Sequence, residues 1–127
     1  MAIIFKICMA SEWDEAMRAG AYRGSTVDVR DGYIHFSTGT QVAETAARHF
    51  AEQSDLVLVA VDAGVLGDKL KWEPSRGGAL FPHLHADLPV TAALWVRPLP
   101  VDENSRHVFP PEISDPNQGE FAARRLT

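Results

Sequence analysis

The 127 residues carry 12 Lys and Arg against 17 Asp and Glu, a formal net charge of −5, and 46% are hydrophobic. That length suits one domain with a core that needs neither disulfides nor metal staples. Interspersed, net acidic charge excludes an extended nucleic-acid platform, a short RNA end being the one exception left open. No apolar run approaches the roughly 20 residues of a membrane span, and a single cysteine, Cys8, rules out intramolecular disulfides. A reducing, cytoplasmic compartment is therefore expected.

Met1-Ala2-Ile3-Ile4-Phe5-Lys6 reads as the start of a strand, not as a signal peptide. In the strand from Ile3 to Met9, Ile3, Phe5 and Ile7 share one face while Ile4, Lys6 and Cys8 share the other. The first face is expected to enter the core and the Lys6 face to line a pocket. A helix follows from Ser11 to Ala19, with Asp14 as a weak capping-box partner of Ser11, Trp13, Ala16 and Met17 as its apolar stripe, and Gly20 as its stop. Asp31-Gly32 signals a turn. The next strand, Tyr33 to Ser37, puts Ile34 and Phe36 on one face and Tyr33, His35 and Ser37 on the other.

A second helix is expected from Thr38 or Thr40 to about Phe50, with Thr38 and Gln41 as a capping box. Leu56 to Val61 is the longest apolar run and reads as a central strand buried on both faces. Asp62 caps a turn through Leu66 that Gly67 closes. Leu70 to Glu73 reads as a half-buried strand, Arg76-Gly77-Gly78 as a loop, and Phe81 to His85 as an extended segment fixed by Pro82. Val90 to Val96 is the last expected strand. Five of the eight prolines lie beyond Arg97, so residues 101–127 read as a Pro-rich arm on a domain of residues 1–100, with one amphipathic turn near Glu120 to Arg124. The fold class expected is α+β, with small, mainly antiparallel sheets and two principal helices.

His35 and Ser37 precede the start of a helix, whose N–H groups, with the Thr38 hydroxyl, would seat a phosphate or another anion. His35 would donate to that ligand or act as acid or base. The alternative is that His35 satisfies a nearby carbonyl and Thr38 only caps. His83 and His85 would point the same way from a strand, yet zinc needs a third ligand and no cysteine is near. No metal is assigned, and His83 is expected to line the pocket as a hydrogen-bonding group. Glu73 is a candidate general base, or a solvent-facing carboxylate paired with Lys71 or Arg76. Cys8 lacks an activating partner and reads as a small buried side chain. Lys6, His35, Ser37 and His83 are expected to converge on one cleft.

Ile4-Phe5-Lys6-Ile7, Trp13, Gly20, Tyr22, Gly32 through Thr38, Leu56-Val57-Leu58, Asp62, Leu66, Trp72-Glu73, Leu80 through Leu84 and Leu88-Pro89 together resemble the domain of unknown function 952 family. The resemblance runs from about residue 3 to residue 100 and implies a bacterial protein with no established reaction. That family is similar to the ADP-ribosyltransferase fold group. RNA 2′-phosphotransferases of that group carry a Val-His-Leu-Ser segment, a helix and a valine-rich strand ending in Asp-Ala. Ile34-His35-Phe36-Ser37, the helix after Thr38, and Val57 to Asp62-Ala63 resemble that order.

The resemblance implies NAD as cofactor, a nucleotide-like ligand, and ribosyl or phosphoryl transfer. His35 and Glu73 would be catalytic, and Lys6, Ser37, Thr38 and His83 ligand-binding. The chain departs from the pattern at Lys6, where the group often has His, and in lacking a recognisable set of phosphate-gripping arginines. The alternative is a non-catalytic ligand-binding or regulatory module that keeps the pocket without the chemistry. A metal-dependent hydrolase ranks third.

Overall fold

The longest apolar run, β4 (Leu56–Asp62), lies in the middle of an antiparallel sheet between β1 (Ile3–Met9) and β8 (Ala93–Leu99). The computed structural model describes residues 2–114. A second sheet has the order β3-β6-β5, from Ile34–His35, Leu80–Leu84 and Leu70–Pro74, all antiparallel, and β2 (Ala21–Tyr22) pairs with β7 (Leu88–Pro89). The result is an α+β fold of small antiparallel sheets with few helices.

Both faces of β1 are covered by apolar side chains, and Lys6 still lines a cleft. Ile3, Phe5 and Ile7 pack with Val42, Ala46 and Leu58, while Ile4 and Cys8 pack with Trp13, Tyr22, Phe36 and Val59. Two apolar layers thus sandwich one sheet. Lys6 tolerates this position only because it has a partner of opposite charge.

The two principal helices are α1 (Ala10–Ala19) and α3 (Val42–His49), with a shorter α2 (Thr26–Asp31) between them. At the start of α1 the Met9 N–H donates to the Glu12 carboxylate at 2.9 Å, so Glu12, and not a Ser11–Asp14 pair, closes the first turn. α2 was not expected. Ser25 and Asp28 form its capping box, and Gly32, at φ 89°, ends it, so Asp31-Gly32 closes a helix instead of making a free-standing turn.

α3 starts four residues after Thr38. Gln41 folds its side chain back to accept the Thr38 N–H at 3.0 Å, and the Thr38 carbonyl accepts from Gln41 and Val42. The last strand starts later than expected, because Val90–Ala92 forms a 3-10 turn before β8. Pro98 is tolerated within β8 because that strand is an edge. Beyond it the chain turns back: Val101 bridges His107, Arg97 donates to Glu112 at 2.8 Å, and Phe109 and Ile113 pack onto the layer around Phe5. Pro116 and the turn expected near Glu120 to Arg124 lie outside the described residues.

Phe5 and Ser37 form a backbone bridge between the two sheets. Phe36 still donates to Pro82 of β6, but Ser37 exchanges both backbone hydrogen bonds with Phe5 of β1, at 2.8 and 2.9 Å. The chain from His35 to Ser37 therefore crosses from one sheet to the other, and a cleft lies along that crossing.

Candidate functional site

Asp28 organises the floor of the cleft. It is only 2% exposed, and α2 fixes it through the capping box, in which Ser25 N–H donates to Asp28 Oδ2 at 2.9 Å. Gly24 precedes this box at φ 108°, and a Cβ there would stand 2.6 Å from Asp28 Cβ, so glycine is required for both conformation and space. Lys6 Nζ lies 2.8 Å from Asp28 Oδ2, and His35 Nδ1 lies 2.6 Å from Oδ1. Burial would raise the Asp28 pKa, but the His35 hydrogen bond and the Lys6 ammonium outweigh it and hold the carboxyl well below its ordinary range.

His35 stands at the mouth, with its side chain 33% exposed. Its second nitrogen, Nε2, lies 3.1 Å from Asp31 Oδ2, and Asp31 also accepts from Arg30 Nε at 3.0 Å. A neutral imidazole has one N–H and donates to one of these carboxylates; the imidazolium donates to both.

Beside it, His83 is paired with His35 across β3 and β6. The Tyr33 ring stacks on His83 with centroids 4.1 Å apart, and the His35 and His83 rings meet edge to face at 5.5 Å. Behind His83 lies Glu73. Its Oε1 accepts from His83 Nδ1 at 2.8 Å and from His85 Nε2 at 2.9 Å, and these histidines, His85 foremost, lower the Glu73 pKa. The two histidines do point the same way, as strand spacing implied.

The cleft measures about 840 Å³, and Lys6, Asp28, Tyr33, His35, Ser37 and His83 are among its lining residues. Lys6, His35, Ser37 and His83 thus share one cavity wall. Lys6 and Ser37 are less available than expected: Asp28 holds the first, and the Ser37 hydroxyl is hydrogen-bonded to Thr45 at 2.8 Å.

Thr38 and Glu73 do not line the cleft. At the expected anion seat the Thr38, Gln41 and Val42 N–H groups are hydrogen-bonded within the turn, and the Thr38 hydroxyl pairs with Thr40. The expected pairing of Glu73 with Lys71 is replaced by the two histidines; the Arg76 side chain lies outside the described residues.

Asp28, Asp31 and Tyr33 were missed as site residues. The Ser25-x-x-Asp28 spacing was the available signal for the first. Burial pushes the Cys8 thiol up to about 12, which leaves it un-ionised and unreactive. Among the described residues no group of three or more His, Cys, Asp or Glu is placed to hold a metal ion, and no helix is long and apolar enough to cross a membrane.

The family model described as protein of unknown function (DUF952) matches residues 7–96. The chain belongs to this family. Its DUF952 fold is similar to the crystal structure of protein CC0527 from Caulobacter crescentus, with 45% identity, 88% of this chain and 98% of that chain covered, and a TM-score of 0.84. The solution NMR structure of CC0527 is 48% identical over 84% of this chain and 91% of that one, with a TM-score of 0.76. No curated protein matches. The DUF952 match spans Lys6's strand neighbour Ile7 through Val96, and so includes α2, His35, Glu73 and His83.

Proposed function

We propose that this DUF952 chain is a binding module for a nucleotide-like small molecule, received at His35 on an ADP-ribosyltransferase-like framework. Support for the framework comes from two small antiparallel sheets that meet at the Phe5–Ser37 bridge with a cleft along the seam. The observation that carries the choice of a binding module over a transferase is the Lys6–Asp28 ion pair, 2.8 Å long and buried on both sides.

The pyrophosphate of NAD needs cations free to face it. Lys6, only 4% exposed, is held by Asp28, and Arg30 at the rim is paired with Asp31. These residues do not fit a pyrophosphate grip. They do fit a nucleoside: an aromatic wall at Tyr33 and His83, and imidazoles that exchange hydrogen bonds with hydroxyls.

The second reading is a ribosyl or phosphoryl transferase. The Asp28–His35 pair favours it, because a buried carboxylate orients an imidazole at the mouth of a cleft, as acid–base catalysis requires. Glu73, the other catalytic candidate, reaches the cleft only through His83.

The test is a thermal-shift panel of adenosine, ADP-ribose, NAD and zinc, with nicotinamide release followed by NMR. A ligand at 100 times its dissociation constant adds about 2.7 kcal/mol of stability. The binding-module reading expects such a shift with adenosine, its loss in His35→Ala, and no nicotinamide. Nicotinamide release that His35→Ala abolishes would establish the transferase instead, and a panel with no shift at all would overturn both.

A further inference from the structure

We infer that Glu73 is a positioning residue that holds His83 with its Nε2 bare toward the cleft, as the acceptor for a ribose hydroxyl of the ligand. An ionised carboxylate only accepts hydrogen bonds. Because Glu73 Oε1 lies 2.8 Å from His83 Nδ1 and 2.9 Å from His85 Nε2, both nitrogens must carry a proton. In neutral His83 the other nitrogen, Nε2, is then a lone-pair acceptor. No described residue claims it. Among the described residues the sealed side-chain polar atom without a partner is the Tyr22 hydroxyl, so Nε2 of His83 keeps an opening, and the cleft is what His83 lines.

His83 is 3% exposed, and burial lowers its pKa, with Glu73 pulling the other way and His35 reinforcing the drop. The titratable groups around the ring are Glu73 from β5, His35 from β3, His85 just beyond β6 and Tyr33 just before β3. The neutral form is thereby favoured, and its tautomer is set from behind by Glu73. His35 cannot take this role while it stands between Asp28 and Asp31, since a carboxylate faces each of its nitrogens. The two adjacent rings are therefore unlike: His35 would donate to a ligand only by releasing Asp31, whereas His83 is the acceptor side of the cleft. A ligand hydroxyl placed between them donates to His83, which selects a hydroxyl such as a ribose's and not an anionic oxygen at this point.

The ligand half of this assignment rests on the nucleoside reading above; the tautomer half does not. The experiment is ring-nitrogen NMR of the full chain carrying 15N-histidine, alone and with adenosine added. Expected for the wild type is His83 protonated at Nδ1 near neutral pH, retained in Glu73→Gln and lost in Glu73→Ala. Adenosine is expected to shift His83 Nε2, with affinity about tenfold or more weaker in Glu73→Ala. A wild-type His83 protonated at Nε2, or a tautomer unchanged in Glu73→Ala, overturns the positioning role. Adenosine that perturbs His35 and leaves His83 unmoved overturns the acceptor assignment alone. Adenosine that moves neither ring overturns the nucleoside reading and the ligand half with it, while the tautomer result decides the positioning role separately.

Discussion

Removing the charge of Asp28 leaves a buried ammonium at Lys6 with nothing opposite it. Asp28→Asn should cost about 3–5 kcal/mol, read from urea unfolding at neutral pH, whereas His35→Ala, at a partly exposed ring, should cost about 1 kcal/mol. The same carboxyl imposes a pH dependence. Its folded pKa lies below the unfolded value of about 3.9, so the unfolded chain binds the proton first as acid is added. The stabilisation is complete above that value and is lost as pH falls toward the folded pKa. Melts from pH 6 to pH 3 should therefore decline more steeply for the wild type than for Asp28→Asn, and parallel curves would show that Asp28 is not what the acid limb reports. At this scale His35, Ser37 and His83 were legible because strand alternation aims them. Asp28 was not, because a buried carboxylate is read from its partners, and Lys6 lies 22 residues upstream.

The short helix α2 turns these contacts into a site. Gly24 and Gly32 flank it, both at positive φ, but only at Gly24 would a Cβ collide with Asp28. Gly32→Ala should cost about 1 kcal/mol for its left-handed conformation alone. Gly24→Ala should cost about 2 kcal/mol or more and also shift the His35 ring signals, which Gly32→Ala should leave in place. Equal losses with an unmoved His35 would mean that Gly24 is needed only for backbone freedom. The longer elements α1, α3 and β4 were readable from periodicity, which needs about two or three helical turns or a continuous apolar run. α2 has six residues, and β2 and β7 have two each, too few for any period to show. Only its punctuation, Ser25 with Asp28 and then Gly32, marked it.

Across the whole molecule one sheet separates two apolar layers, and the segment after Pro100 helps close one of them. Ile113, packed with Phe109 against the layer that holds Phe5, Leu58 and Leu99, should cost about 2–4 kcal/mol on substitution by alanine, measured by guanidinium unfolding. A loss under about 0.5 kcal/mol would show that residues 101–114 rest on the surface without closing the layer. The prolines made this segment legible as irregular; its return to the core was not, since Phe109 and Ile113 belong to no periodic run. The layers also explain why Lys6 is unavailable as a phosphate-binding cation: the second one covers its face and Asp28 neutralises it there. An amide chemical-shift titration of the 15N-labelled chain with adenosine tests this account most directly. Shifts should centre on Tyr33, His35, Phe36, Ser37 and His83. A protein whose spectrum does not respond, or whose shifts centre on Arg23, His85 and Asp87 in the neighbouring hollow that shares Asp28 and Tyr33 with the cleft while His35, Ser37 and His83 stay unmoved, would contradict it.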